Sequence, residues 1–198
     1  MGKCTVDLIT GFLASGKTSL IKSILNKATQ REEIVVVQCE NGTERLSGDF
    51  LNKKGITLKE FSSNEEITED RIVRLLKFYT PTRLIIECNG VGDIKRITEI
   101  FNSKTLKSYV KMGVVANLVD VTTLNMFLKN IPSLIMPNLQ ISNLIILNKS
   151  NNVSEESVKE YSTMIETLNL YAHIVTCGSK DELEVIMDKS TIVNRLLG

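Results

Sequence analysis

The sequence lacks an excess of either charge and lacks long apolar runs. Its 24 lysines and arginines face 23 aspartates and glutamates, which gives a net charge of +1. A balanced chain has no general basic surface, so we expect no nucleic-acid partner. No apolar run approaches the roughly 20 residues of a membrane-spanning helix, and the N-terminal residues lack the pattern of a signal peptide. We therefore expect a cytoplasmic protein with no membrane partner.

Residues that form disulfides or bind zinc are also few. The four cysteines, Cys4, Cys39, Cys88 and Cys177, are far apart and form no CxxC pair. Free thiols in a reducing compartment are the simplest interpretation. The single histidine, His173, lies outside every motif described below, and we expect it to be structural or exposed.

Short apolar runs alternate with longer segments of helical period along the chain. Several runs are continuous, as in VVVQ, LIIE and LIIL, which is typical of parallel strands covered on both faces. The alternation predicts a three-layer α/β fold with a mostly parallel, doubly wound sheet, in a single domain over residues 1–198. The predicted strands are 5–10, 34–39, 84–87, 113–119, 144–147 and 174–176, and the predicted helices are 17–27, 66–78, 94–102, 122–129, 155–168 and 180–189.

The first chemical motif is a phosphate loop at residues 11–18. Their sequence, GFLASGKT, matches the GxxxxGK[ST] pattern between a predicted strand and a predicted helix. Glycines permit a tight loop whose backbone N–H groups surround phosphate at the positive end of the helix. We expect the lysine to reach the β- and γ-phosphates and the threonine hydroxyl to reach Mg²⁺. The predicted nucleotide-binding residues here are Gly11, Ala14, Ser15, Gly16, Lys17, Thr18 and Ser19.

A second motif follows the apolar run at 84–86, which ends in Glu87 and continues as Cys88-Asn89-Gly90. In phosphate-loop proteins, a neighbouring apolar strand ends in an acid that holds Mg²⁺ or its waters. We therefore expect Glu87 to serve the metal and the N–H of Gly90 to face the γ-phosphate. The alternative is a strand-end carboxylate that happens to be exposed.

A third motif, Asn148-Lys149-Ser150-Asn151, follows the apolar run at 144–147. GTPases carry NKxD at this place, where the aspartate accepts from guanine and the lysine covers the base. Asn151 replaces that aspartate, and an amide offers one acceptor and no charge. We expect Asn148, Lys149 and Asn151 to contact the base, with guanine selectivity weakened and xanthine a formal possibility.

The least regular stretch is 40–64, which is polar and contains three glycines. One interpretation is a surface excursion with a short helix at 49–53 and a strand at 55–61. The other is a nucleotide-sensing switch, because the stretch leaves a strand end that we expect beside the phosphates.

Together these motifs resemble the CobW/HypB/UreG family of metal-chaperone GTPases, and its CobW branch most closely. The resemblance covers nearly the whole chain. It is carried by 11–19 (GFLASGKTS), 36–51 (VVQCENGTERLSGDFL), 87–93 (ECNGVGD), 114–121 with Asp120, and 140–153 (QISNLIILNKSNNV).

The resemblance implies a phosphate-loop GTPase fold of the SIMIBI type and a role for nucleotide state in metal or cofactor delivery. It implies catalytic roles for Lys17, Glu87 and Glu40, and a Mg²⁺ environment formed by Thr18, Glu40 and Glu87. It also implies a nucleotide-dependent homodimer and a client metalloenzyme or corrinoid protein.

The sequence departs from the family pattern in three ways. The metal-binding GCxCC of the family falls near 59–63, which here reads KEFSS. Asn151 replaces the base-reading aspartate, and we expect no C-terminal CobW domain. Cys39 and Cys88, with Glu40, are candidates for a replacement transition-metal site, while the alternative is two small buried residues.

The leading functional hypothesis is Mg²⁺-dependent binding and slow hydrolysis of a purine nucleoside triphosphate. GTP is the first choice, and ATP or XTP stays open. The alternative is a module that binds nucleotide or a partner without hydrolysis. A small-molecule kinase ranks last. Such a kinase would need an arginine-rich lid, and the region after Asp120 contains no arginine before Arg195.

Overall fold

The computed structural model describes residues 2–29, 32–39, 46, 55–190 and 193. Within these ranges the chain forms a seven-stranded sheet in which every pair of neighbouring strands is parallel. The strands are β1 (Cys4–Thr10), β2 (Ile34–Gln38), β3 (Ile56–Glu60), β4 (Arg83–Glu87), β5 (Val110–Asp120), β6 (Leu144–Asn148) and β7 (His173–Cys177). Their order across the sheet is β3-β2-β4-β1-β5-β6-β7.

Helices cover both faces of this sheet. They are α1 (Lys17–Lys27), α2 (Glu69–Tyr79), α3 (Ile94–Phe101), α4 (Val121–Asn130), α5 (Pro132–Ile141), α6 (Glu155–Leu168) and α7 (Lys180–Lys189). Alternate residues of the strands face opposite sides: Ile85 packs in the core that contains α1 and α7, whereas Ile86 packs in the core that contains α2 and α3. The predicted α/β class, parallel sheet and three layers are confirmed. No helix in the described ranges has the length and apolarity needed to cross a membrane.

The helices differ from the prediction at two places. Helix α5 was not predicted, because Pro132 and Pro137 fall in it and an interior proline usually breaks a helix. Pro132 stands in the first turn, where a missing N–H costs nothing, and Pro137 follows only one turn later. The helix predicted at 66–78 begins instead at Glu69, because the side chain of Thr68 accepts the N–H of Arg71.

The predicted strand at 55–61 appears as β3, whereas the predicted short helix at 49–53 lies outside the described residues. Most of the candidate switch at 40–64 also lies outside them. The switch interpretation therefore stays a prediction.

A buried charge interrupts the pairing of β1 with β5. The register shifts between Val6 and Leu8, and the intervening Asp7 is fully buried. One carboxylate oxygen accepts the N–H of Val114 at 2.8 Å, and the other lies 2.6 Å from Nε of Arg83. Because the ladder of backbone hydrogen bonds is interrupted here, the Asp7 carboxylate takes the place of a backbone carbonyl as the acceptor for the Val114 N–H.

Candidate functional site

The candidate residues lie at the carboxyl ends of adjacent strands. Glu87 on β4 pairs in register with Ile9 on β1 and with Gln38 on β2. On the other side of β1, Asp120 on β5 pairs with Asn148 on β6. Because β1 has β4 on one side and β5 on the other, the order of the sheet reverses here, and ligands of open α/β sheets bind at such a point.

The loop that leaves β1 requires glycine at two positions. Gly11 and Gly16 have φ of 138° and 106°, a region that side chains rarely adopt, and Ala14 has φ of 59°. A Cβ on Gly11 would come within 2.3 Å of the Leu118 carbonyl oxygen. A Cβ on Gly16 would come within 2.6 Å of the Asn148 side chain. The loop therefore takes a tightly packed course that larger residues would block.

Helix α1 presents its N-terminus to this loop. Its cap is Gly16, no side chain caps it, and its first turn contains no acidic residue. The positive end of the helix therefore keeps its affinity for an anion. The Lys17 ammonium is buried and donates to the carbonyls of Gly11 at 2.8 Å and Phe12 at 3.0 Å, which holds its charge across the loop. Ser19 lies in the first turn of α1, and its carbonyl accepts from Ser23.

Thr18 and Glu87 meet beside this helix end. The Thr18 hydroxyl donates to Oε1 of Glu87 at 2.7 Å, although the residues are 69 apart in sequence. The Gln38 amide donates to the other oxygen, Oε2, and both Glu87 and Gln38 are buried. Sequence reasoning missed Gln38, whose signal is a polar residue in the otherwise apolar strand β2.

The segment after Glu87 packs directly on the phosphate loop. A Cβ on Gly90 would lie 2.2 Å from the Gly11 carbonyl oxygen, so only glycine fits. Two buried asparagines, Asn64 and Asn138, form hydrogen bonds with the backbone of this segment. Asn64 accepts the N–H of Asn89 at 2.9 Å and donates to its carbonyl at 3.1 Å, and Asn138 donates to the Gly90 carbonyl at 3.2 Å. Sequence reasoning missed both: Asn138 lies in the unpredicted helix α5, and no motif marks Asn64.

The base-reading motif is tied to the phosphate loop. The Asn148 amide donates to the Ser15 carbonyl at 2.8 Å and accepts the N–H of Lys149 at 2.8 Å. Lys149 has φ of 62°, and its ammonium pairs with Asp120 at 2.5 Å. Burial opposes ionisation of Asp120, but hydrogen bonds from Lys149 and Thr122 outweigh burial and lower the pKa of that carboxyl. Asp120 is therefore a fixed anion that orients the lysine.

Asn151 lies one turn further on, in the short helix Ser150–Asn152. Its side chain is exposed and lies against Gly178, the residue that follows β7. The motif at 148–151 therefore spans from the phosphate loop to the end of β7.

The two candidate thiol ligands are buried next to each other. Burial raises the pKa of Cys39 to about 12, with the carboxylates of Glu66 and Glu87 adding to the effect. Burial also raises the pKa of Cys88, and the protonated thiol is a poor metal ligand. In the described part of the chain, no group of three or more His, Cys, Asp or Glu side chains is arranged to hold a metal. Glu40 lies outside the described residues, so this transition-metal site stays a prediction, as does the role of Glu40 at Mg²⁺.

Two residues of the segment 59–63, where the family carries its GCxCC motif, make cation–aromatic contacts with the helix α2. The Arg71 guanidinium lies 4.0 Å from the ring centroid of Phe61, and the Lys59 ammonium lies 4.9 Å from that of Tyr79. Such contacts stabilise by about 0.5–1 kcal/mol each at exposed sites. The segment therefore packs as part of the fold and offers no sulfur ligand.

Two buried hydroxyls at the loop have no partner within the described residues. They belong to Thr10 at the end of β1 and to Ser15 in the loop. Buried polar groups are almost always satisfied, and an orphaned one calls for an ion, water or functional explanation. Both lie where the sequence predicts a ligand.

The geometry above agrees with a comparison of the whole sequence. Residues 5–176 match the nucleotide-binding domain of the CobW/HypB/UreG family. The chain belongs to this family. Membership accounts for the α/β fold and for the phosphate-loop sequence at residues 11–18.

Relatives of this CobW/HypB/UreG chain include proteins whose names refer to zinc. It is 25% identical over 199 residues to zinc-regulated GTPase metalloprotein activator 1 of Schizosaccharomyces pombe, covering 92% of this chain and 48% of the relative. It is 31% identical over 133 residues to the zinc chaperone YjiA of Escherichia coli, covering 61% of this chain and 41% of the relative. The chain spans about half the length of the curated relatives it matches.

Solved structures show the same fold. The Zn(II)-bound YjiA GTPase of E. coli has a TM-score of 0.70 at 27% identity, covering 89% of this chain and 58% of that one. The hydrogenase maturation factor HypB of Archaeoglobus fulgidus has a TM-score of 0.62 at 19% identity, covering 99% of this chain and 91% of that one. The predicted fold family is confirmed.

Proposed function

We propose that this chain binds a purine nucleoside triphosphate with Mg²⁺ at residues 11–18 and hydrolyses it slowly, as a nucleotide switch in metalloprotein or metal-cofactor maturation. The observation that carries the proposal is the contact between Thr18 and Glu87 beside Lys17. It places a hydroxyl, a carboxylate and an ammonium at one helix N-terminus, and these are the functional groups with which phosphate-loop proteins bind Mg²⁺ and phosphates for phosphoryl transfer.

The residues present fit a magnesium ion. Mg²⁺ prefers hard oxygen ligands and usually takes one or two from protein. The Thr18 hydroxyl and the Glu87 carboxylate are such oxygens, 2.7 Å apart, and Gln38 holds the far side of the carboxylate. When bound, the ion neutralises charge on the β- and γ-phosphates. Glu40 is the further ligand that the family resemblance implies.

The other groups at the site act on the phosphates through charge and position. Lys17 and the end of α1 stabilise phosphate charge, and Gly90 brings its backbone against the loop. Within the described residues, none beside the loop is an obvious strong general base. Slow hydrolysis, completed by a client protein or by a second copy of the chain, suits this arrangement.

Metal handling is the proposed purpose of the switch. The relatives described above are named as zinc chaperones and a zinc-regulated metalloprotein activator. Because residues 59–63 offer no thiol, cargo metal would need ligands other than a GCxCC motif. The four free thiols agree with the expected reducing, cytoplasmic location.

Nucleotide binding and phosphate release, measured with Mg²⁺ and with EDTA, test this proposal. We expect tight binding and slow release only with Mg²⁺. Thr18→Ala should weaken Mg²⁺-dependent binding by about tenfold or more, because it removes a metal ligand, and Glu87→Gln should reduce phosphate release. Thr167→Ala, at an exposed position of α6, is the matched control and should behave as wild type.

The outcomes separate the candidate functions. Mg²⁺-dependent binding without phosphate release would favour the non-hydrolysing module. Failure of GTP, ATP and XTP to bind under any condition would contradict the proposal.

A further inference from the structure

The side chain of Asn151 lies flat over a glycine. A Cβ added to Gly178 would come within 2.2 Å of Cγ and Nδ2 of Asn151 and within 2.3 Å of its Oδ1. Because all three atoms are equally close, the amide occupies the space that a side chain at 178 would fill. Both the donor and the acceptor of this amide lie at an exposed edge of the sheet.

The backbone of Gly178 adds a second donor at this edge. Its N–H donates to a carboxylate oxygen of the exposed Glu182 at 2.6 Å, so the N–H is directed at an oxygen acceptor. The Gly178 N–H and the two halves of the Asn151 amide give this edge two donors and one acceptor, with the Glu182 carboxylate as the partner of the N–H in this structure.

This edge is aligned with the phosphate loop. Asn148 fastens the start of the motif to the Ser15 carbonyl. Strands β6 and β7 end level with each other, since Asn148 pairs with Cys177. Asn151 and Gly178 therefore lie at the same edge of the sheet as the phosphate loop.

We propose that, at the nucleotide site proposed above, the base turns its C2–N1–C6 edge to Asn151 and Gly178, and that Asn151 selects a purine with carbonyls at C2 and C6, which is xanthine. The C6 carbonyl replaces the exposed Glu182 carboxylate as the acceptor of the Gly178 N–H. N1–H donates to the amide oxygen, and the C2 carbonyl accepts from the amide nitrogen. Guanine presents an amino group at C2, which would oppose the amide nitrogen with a second donor. Adenine presents an amino group at C6 and lacks the N1 hydrogen, so both contacts fail.

Competition binding of XTP, ITP, GTP and ATP with Mg²⁺ tests this assignment. Wild type should rank them XTP, ITP, GTP, ATP, with XTP about 10- to 100-fold tighter than GTP, since a polar group left facing the wrong partner at the base costs about that factor. The Asn151→Asp side chain offers two acceptors and should reverse the affinity order of XTP, ITP and GTP, so that GTP binds tightest. Asn152→Asp adds the same charge one exposed position away and should keep the wild-type order.

Gly178→Ala tests the placement of the amide. The new methyl group would displace Asn151, so the preference for XTP over GTP should fall while Mg²⁺ dependence persists. An unchanged ranking in Asn151→Asp, or a reversal in Asn152→Asp, would overturn the assignment. If Lys17→Ala abolishes binding of all four nucleotides while Asn151→Asp changes no ratio, the nucleotide site stands and the base assignment fails. If wild type binds none of them, both fail.

Discussion

At the residue scale, Gly90 is required by proximity to another part of the chain. Its missing Cβ leaves room for the Gly11 carbonyl oxygen, which would otherwise lie 2.2 Å away, and for the Phe12 N–H nitrogen at 2.7 Å. Both are backbone atoms, so neither can move without moving the phosphate loop. Gly90, which we expect to face the γ-phosphate, therefore also sets the distance between its own segment and the phosphate loop.

Gly90→Ala should push these two loops apart. We expect a loss of about 1–3 kcal/mol in the free energy of unfolding, typical of an overpacked site, together with weaker nucleotide binding. Urea denaturation and nucleotide titration measure the two effects. Gly2→Ala is the matched control, because nothing lies within 4 Å of a Cβ there, and it should leave both quantities unchanged. A Gly90→Ala protein with wild-type stability would show that the close packing is wrong.

The four buried cysteines should resist modification in the native protein. Burial raises the pKa of Cys4 and Cys39 to about 12 and that of Cys177 to about 11, so little thiolate exists at neutral or mildly alkaline pH. With a thiol reagent at pH 8, we expect no fast reaction until denaturant is added, and then four thiols per chain. Rapid labelling of native Cys39 or Cys88 would instead indicate an accessible thiolate pair and would favour the metal-site hypothesis.

At the scale of elements, the β1/β5 junction depends on one buried ion pair. Asp7 is fully buried and serves both Arg83 and the N–H of Val114. Its replacement removes an acceptor from the interrupted ladder and a counter-charge from the guanidinium.

Asp7→Ala should therefore destabilise the fold by about 3–5 kcal/mol, the usual cost of breaking a buried pair. Thermal unfolding should show a Tm lower by roughly 6–20 °C, at about 2–4 °C per kcal/mol for a chain of this size. The control Asp70→Ala changes an exposed aspartate at the start of α2 and should cost about 1 kcal/mol or less. Equal effects of the two substitutions would contradict the importance of the junction.

The elements show which features the sequence could predict. The strands were predictable because both faces of the sheet are covered, so apolar runs such as 84–86 stand out. Helix α5 was not predictable, because Pro137 disfavours a helix locally. The helix is stabilised instead by tertiary packing, since Ile135 and Leu139 join the hydrophobic core beside β5 and β6. The phosphate loop and Glu87 were predictable because their chemistry needs fixed residue types at short spacing. Asn64 and Asn138 were not, because they act through contacts 25 and 48 residues away in sequence.

At the scale of the whole molecule, one edge of the sheet gathers candidate groups from five strands in the described part of the chain. Gln38, Glu87, Asp120, Asn148 and Gly178 come from the ends of five different strands or the residues just after them. Their relative positions are set by the register of an all-parallel sheet, which sequence spacing alone does not give. A ligand that bridges these groups would bind only the folded chain and would raise its Tm by mass action.

Calorimetric titration of wild type and Lys17→Ala with Mg²⁺ and either GTP or XTP tests the central claim most directly. The account predicts saturable binding to wild type of at least one of the two and a loss of about tenfold or more in Lys17→Ala, because a buried charge-assisted contact is removed. Lys159→Ala, on the exposed face of α6, should bind as wild type does. Equal affinities of wild type and Lys17→Ala for both nucleotides would contradict the assignment of residues 11–18 as the phosphate-binding loop.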